Sequence, residues 1–69
     1  MKFVYSDMEF LIGEYVTGKR AARDREILRL CFLDGLTYEQ IAEKMQMSSV
    51  QIGRIVRKRG DPLLLMLKK

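Results

Sequence analysis

Two hydroxyl residues, each followed three places later by glutamine, constrain this chain most. Thr37 precedes Gln40, and Ser48 precedes Gln51. A hydroxyl that accepts from the N–H three residues on, while a Glu or Gln at that place reaches back, forms a capping box and opens a helix. The first box leads into Ile41, Ala42 and Met45 at the spacing of one helical face, and the second into Ile52, Ile55 and Val56. Helices are therefore predicted over 38–45 and 49–59, with a tight turn between them and Met47 filling the space where they meet. Ala42 is small at the predicted crossing, where a larger side chain would push the helices apart.

The rest of the chain reads as helix too. Ser6 is predicted to cap a helix over 7–17, with Glu9 completing a box and Met8, Leu11, Ile12 and Tyr15 forming its apolar stripe. Phe10 and Val16 fall beside or beyond that stripe, and Gly18 is expected to stop the helix. A second helix is predicted over 22–34. Asp24 and Glu26 lie near its start, where the helix dipole favours acids. Ile27, Leu30 and Cys31 form its core seam, with Leu28 and Phe32 close by, and Gly35 ends it. Gly60 is expected to break the fourth helix, with Asp61 and Pro62 as N-cap and first residue of a last helix over 62–68. Only residues 1–5 read as an extended arm. The predicted fold class is all-α: a small bundle of four to five short helices containing a helix-turn-helix, in a single domain spanning 1–69.

Composition narrows the function. The 69 residues include no histidine and one cysteine. That excludes an internal disulfide, a Cys₄ zinc site and a Cys₂His₂ finger. No acidic pair with a metal-ligand partner stands out, and Ser48 and Ser49 have a capping explanation without a nearby base. No catalytic residue, metal or cofactor is expected, and the chain is read as not an enzyme. Cys31 is read as a small apolar filler rather than a reactive thiol. No cleavable leader is visible in the first ten residues, and no apolar run reaches the 18 or more residues that span a bilayer. No membrane partner is expected, and the cytoplasm is the expected location.

Charge is uneven. The net charge is +4, but residues 48–69 carry six basic groups against Asp61 alone, while residues 1–18 carry Lys2 against three acids. An acidic front and a basic back predict a polyanion surface built mainly from the second half. In a helix-turn-helix the second helix lies in the DNA major groove and offers its N-terminal residues to base edges. Here that helix presents Ser49, Val50, Gly53 and Arg54 as candidates for base reading. Arg54 is suited to guanine through its two-pronged donor geometry, Val50 to a thymine methyl, and Ser49 to a base edge or a phosphate. Gly53, lacking a side chain, is read as allowing close approach. Arg57, Lys58 and Arg59 are the expected phosphate contacts, with Tyr38 and Ser48 at the helix starts and Lys19, Arg20 and Arg23 from the preceding helix.

Residues 35–59 resemble the helix-turn-helix of the sigma-factor region 4 and LuxR-type superfamily, and residues 24–34 resemble its support helix. Ile41, Ala42 and Glu43 match the Ile-Ala-Glu core of the first motif helix. Met47 and Ser48 match the apolar and capping residues of the turn. Gln46 stands where the family has glycine, and Gly53 where it often has a polar or basic residue. The resemblance implies sequence-directed binding of double-stranded DNA and no more. A small transcriptional regulator that occupies an operator is the expected function, and a short phage or mobile-element regulator would fit such a chain. A fainter likeness to Trp-repressor type dimers rests on helices both before and after the motif. A homodimer is expected through helix 7–17 and residues 63–67, which would place two motifs on two half-sites, and the alternative for these residues is closure of the chain's own core. The alternative is a protein–protein interaction module of the same fold without intrinsic DNA binding.

Overall fold

In the computed structural model, which describes residues 5–67, the chain forms α1 (Tyr5–Tyr15), α2 (Ala21–Leu28), α3 (Tyr38–Met45), α4 (Ser49–Ile55) and α5 (Asp61–Leu67), with no strand among those residues. The fold is all-α. Both predicted capping boxes are present. Thr37 Oγ1 accepts from the Gln40 N–H at 3.1 Å, and Gln40 Oε1 accepts from the Thr37 N–H at 2.9 Å. Ser48 and Gln51 exchange the equivalent bonds, each at 3.1 Å. Between the boxes Gln46 has left-handed backbone, φ 57° and ψ 47°. The Met47 N–H donates to the Ala42 carbonyl at 2.9 Å, closing the end of α3. The chain therefore turns sharply, and α3 and α4 pack against each other over the buried Ile41, Ala42 and Ile52.

The second helix runs to its predicted end at Gly35, but the fourth does not end where the sequence predicts. α2 continues through a wide π-helical turn, Arg29–Leu33, before Gly35 at φ +72° releases the chain. α4 continues through a second one, Val56–Gly60, which passes directly into α5. The break expected at Gly60 is thus absent, and Asp61 has helical backbone rather than a capping conformation. Gly60 is buried, and a Cβ there would stand 2.8 Å from the Phe32 ring. Its glycine serves close packing, not termination. Pro62 has no N–H to give to the ladder, and the wide turn just before it relaxes the regular pattern where that donor is missing.

α1 begins at Tyr5, so Ser6 lies inside it rather than capping it. The expected arm lies outside the described residues except for Tyr5, which is helical. The buried face is Met8, Ile12 and Val16, an i, i+4, i+8 series, with Leu11 half-buried and Tyr15 exposed. Arginines hold the chain just past the end of this helix. Arg25 Nε donates to the Val16 carbonyl at 2.9 Å, and Arg59 Nη2 to the Thr17 carbonyl at 2.7 Å. These two carbonyls lie just beyond the helix, where no intrahelical donor reaches them. Gly18, at φ +107°, then turns the chain toward α2.

The core joins Ile27, Leu28 and Leu30 of the second helix to α1, α3, α4 and Leu63 of α5. α1 packs on α5. The two apolar segments expected to pair separate copies therefore close the core of one copy. What they leave on the surface is Phe10, Tyr15, Leu65 and Met66.

Candidate nucleic-acid interface

The second motif helix stands proud of the bundle because only one of its faces is apolar. Ile52 and Val56 are buried and Ile55 is half-buried. On the opposite side Val50, Arg54 and Lys58, spaced by four, form an exposed ridge, and Val50 is 63% exposed. A concave surface lies along each flank of this ridge.

The first is an open groove of about 420 Å³ between the start of α3 and α4, lined by Thr37, Tyr38, Glu39, Ser49, Val50, Gly53 and Arg57. Tyr38 lies across Gly53: a Cβ on Gly53 would stand 3.3 Å from the tyrosine Cε2. Gly53, expected to face outward as a base reader, is buried under this ring instead. The absence of a side chain lets Tyr38 settle on α4 and shape the groove wall. Ser49 and Arg57 are exposed along the same groove. The Ser48 hydroxyl is engaged in its cap, accepting from Gln51 N–H and donating to Gln51 Oε1 at 3.3 Å.

The second is a cleft of about 440 Å³ on the other flank, where the corner between α1 and α2 meets the end of the reading helix. Lys19, Arg20, Arg23, Lys58 and Arg59 surround it, with Asp24 and Ile55. Five of the eight residues expected to touch phosphate thus converge, although they come from two distant stretches of sequence. They are not equivalent. Asp24, expected only to favour the start of its helix, is buried and paired with two arginines. Its Oδ2 lies 3.0 Å from Arg59 Nε, and its Oδ1 lies 2.9 Å from Arg23 Nη2. Arg59 therefore fastens the end of the reading helix to α2 and to Thr17, a role its sequence position in a basic run does not reveal. The only signal for this tie is an acid and a base 35 residues apart, which no local pattern connects.

Elsewhere the chemistry is sparse. Burial pushes the Cys31 thiol above its ordinary value, which keeps it protonated near neutral pH. Among the described residues no group of three or more acidic, cysteine or histidine side chains is placed to hold a metal ion, and no helix is long and apolar enough to cross a membrane.

Two capped helices about a tight turn, supported by a preceding helix, with the second exposed along a basic ridge, define a helix-turn-helix domain of the DNA-binding class. Residues 21–56, just over half of the chain, match the family model for sigma-70, region 4. The chain belongs to the sigma-70 region 4 family. No curated protein and no solved structure matches it. The matched segment starts with α2 and ends at Val56, so it holds the support helix, both motif helices and the turn. α1 and α5 lie outside it.

Proposed function

We propose that the protein binds double-stranded DNA sequence-specifically, laying α4 in the major groove, and regulates transcription by occupying its site. The observation that carries this reading is the exposed ridge of Val50, Arg54 and Lys58 between two concave flanks. A helix seated in a major groove has a phosphate strand on each side, and this ridge has a concave surface on each side, one offering Tyr38, Ser49 and Arg57 and the other the basic cleft. Arg54 reads guanine, Val50 contacts a thymine methyl, and Ser49 contacts a base edge or the adjoining phosphate. Tyr38 and Arg57 face one strand, and the basic cleft faces the other.

Family membership supports DNA binding as such, and the sequence preference rests on the ridge. Two copies on half-sites about 34 Å apart would add specificity, and Phe10, Tyr15, Leu65 and Met66 are the surface left for their pairing. Such a protein acts in the cytoplasm, beside its DNA. Titration against random duplex DNA at two salt concentrations tests the reading. Binding that weakens as salt rises supports it, and no binding at low salt points to a protein-interaction module. Selection from a randomised duplex library then identifies the site.

A further inference from the structure

The basic cleft carries one buried acid among five cations. Asp24 is 4% exposed, and both of its oxygens are engaged by arginines, Oδ1 by Arg23 and Oδ2 by Arg59. Arg59 is held a second time, by the Thr17 carbonyl. Among the described residues, Lys19, Arg20 and Lys58 have no carboxylate within 4.0 Å. The cleft thus contains two classes of cation, three free and two restrained.

The distinction matters because contacts to phosphate carry no sequence information. Each cation that neutralises a phosphate adds affinity for any duplex. A guanidinium is the strongest such group, since its fork can hold two phosphate oxygens at once. With all five cations free, affinity in this cleft would rise for every sequence alike and the complex would depend more steeply on salt. A carboxylate at the floor of the cleft competes with the DNA for the two arginines. Its buried position limits screening on the carboxylate side of each pair, while the Arg23 and Arg59 side chains stay 32% and 30% exposed toward the cleft.

We propose that Asp24 is a positioning residue that sets the cleft's hold on the DNA backbone: by holding Arg23 and Arg59 it leaves Lys19, Arg20 and Lys58 as the cleft's contacts to phosphate, and so restrains sequence-independent binding. This rests on the DNA-binding reading above. It gives Asp24 a sign of effect that a merely structural ion pair does not have.

The test is Asp24→Asn, which keeps the shape of the side chain and removes its charge. Binding to random duplex and to a duplex selected from a randomised library is measured over a salt series, with folding followed by circular dichroism. The expected result is tighter binding to both duplexes by a similar factor, and a slope of log affinity against log salt steeper by about 1 to 2. Weaker binding to both duplexes with an unchanged slope would overturn the proposal. A second comparison leaves Asp24 in place, so it stands even if that variant does not fold. Arg23→Gln should leave random-duplex affinity within about twofold, while Lys19→Gln and Lys58→Gln should each flatten the slope by about 1. Equal losses from the three would sink the division into free and restrained cations. A wild-type chain that binds no duplex at low salt removes the DNA-binding reading itself, which separates that failure from this one.

Discussion

In the proposed complex, base recognition turns on Arg54. It is exposed in the middle of the ridge, with no carboxylate within 4.0 Å among the described residues. Arg54→Ala should reduce discrimination between the selected site and random duplex by about 1–3 kcal/mol, with a smaller loss of random-duplex affinity. Arg57→Ala should weaken both together, and competition binding with the two duplexes separates these patterns. Gln46 and Gly60 test the backbone instead. Gln46 occupies left-handed space that costs a residue with a Cβ about 1–2 kcal/mol, so Gln46→Gly should raise stability in urea by about 1 kcal/mol. Gly60→Ala should lower it, because the added methyl meets the Phe32 ring at 2.8 Å. Overpacking of that kind costs about 1–3 kcal/mol.

The motif helices depend on their caps more than on their length. α3 has eight residues and α4 seven before the wide turn. Isolated helices this short are not stable in water. Loss of a hydroxyl cap costs about 1 kcal/mol. Thr37→Ala and Ser48→Ala should each lower the urea midpoint by a comparable amount, and the pair should add, since the boxes share no partner. Ala42→Leu tests the packing of α3 on α4. It should cost about 1–3 kcal/mol and weaken DNA binding with it, and wild-type melting would place the crossing elsewhere. These boxes were legible because a capping box is wholly local: both partners lie within four residues. The wide turns were not. A π-helical turn and a helix end share the same nearby residues, glycine and proline among them. What separates them here is Phe32, 28 positions before Gly60, whose ring needs the space a side chain would fill.

Closure of the bundle by α1 and α5 decides how the molecule meets other molecules. Leu63 is buried against the core while Leu65 is 65% exposed. Leu63→Ala should therefore destabilise by about 2–5 kcal/mol, and Leu65→Glu should leave melting nearly unchanged. On a duplex carrying two half-sites, Leu65→Glu should also lose any cooperative binding, which a gel-shift titration against a single half-site reveals. The expectation that apolar helix 7–17 and residues 63–67 would join two copies followed from their composition. Composition does not say whether an apolar stripe meets its own chain or another one, because burial in either place removes the same area from water. Within one chain, α1 and α5 are already brought together by the turns that precede them.

Helix type, the two caps, the turn and the basic second half were readable from the residues in order, since each arises from neighbours a few positions apart. The fate of individual charges was not. Arg57, Lys58 and Arg59 are consecutive and look alike in the chain, yet one lines the groove with Tyr38, one stands free at the ridge, and one is tied to a buried acid. Helical rotation sends adjacent side chains in different directions, and what each one meets there depends on distant segments that folding brings alongside.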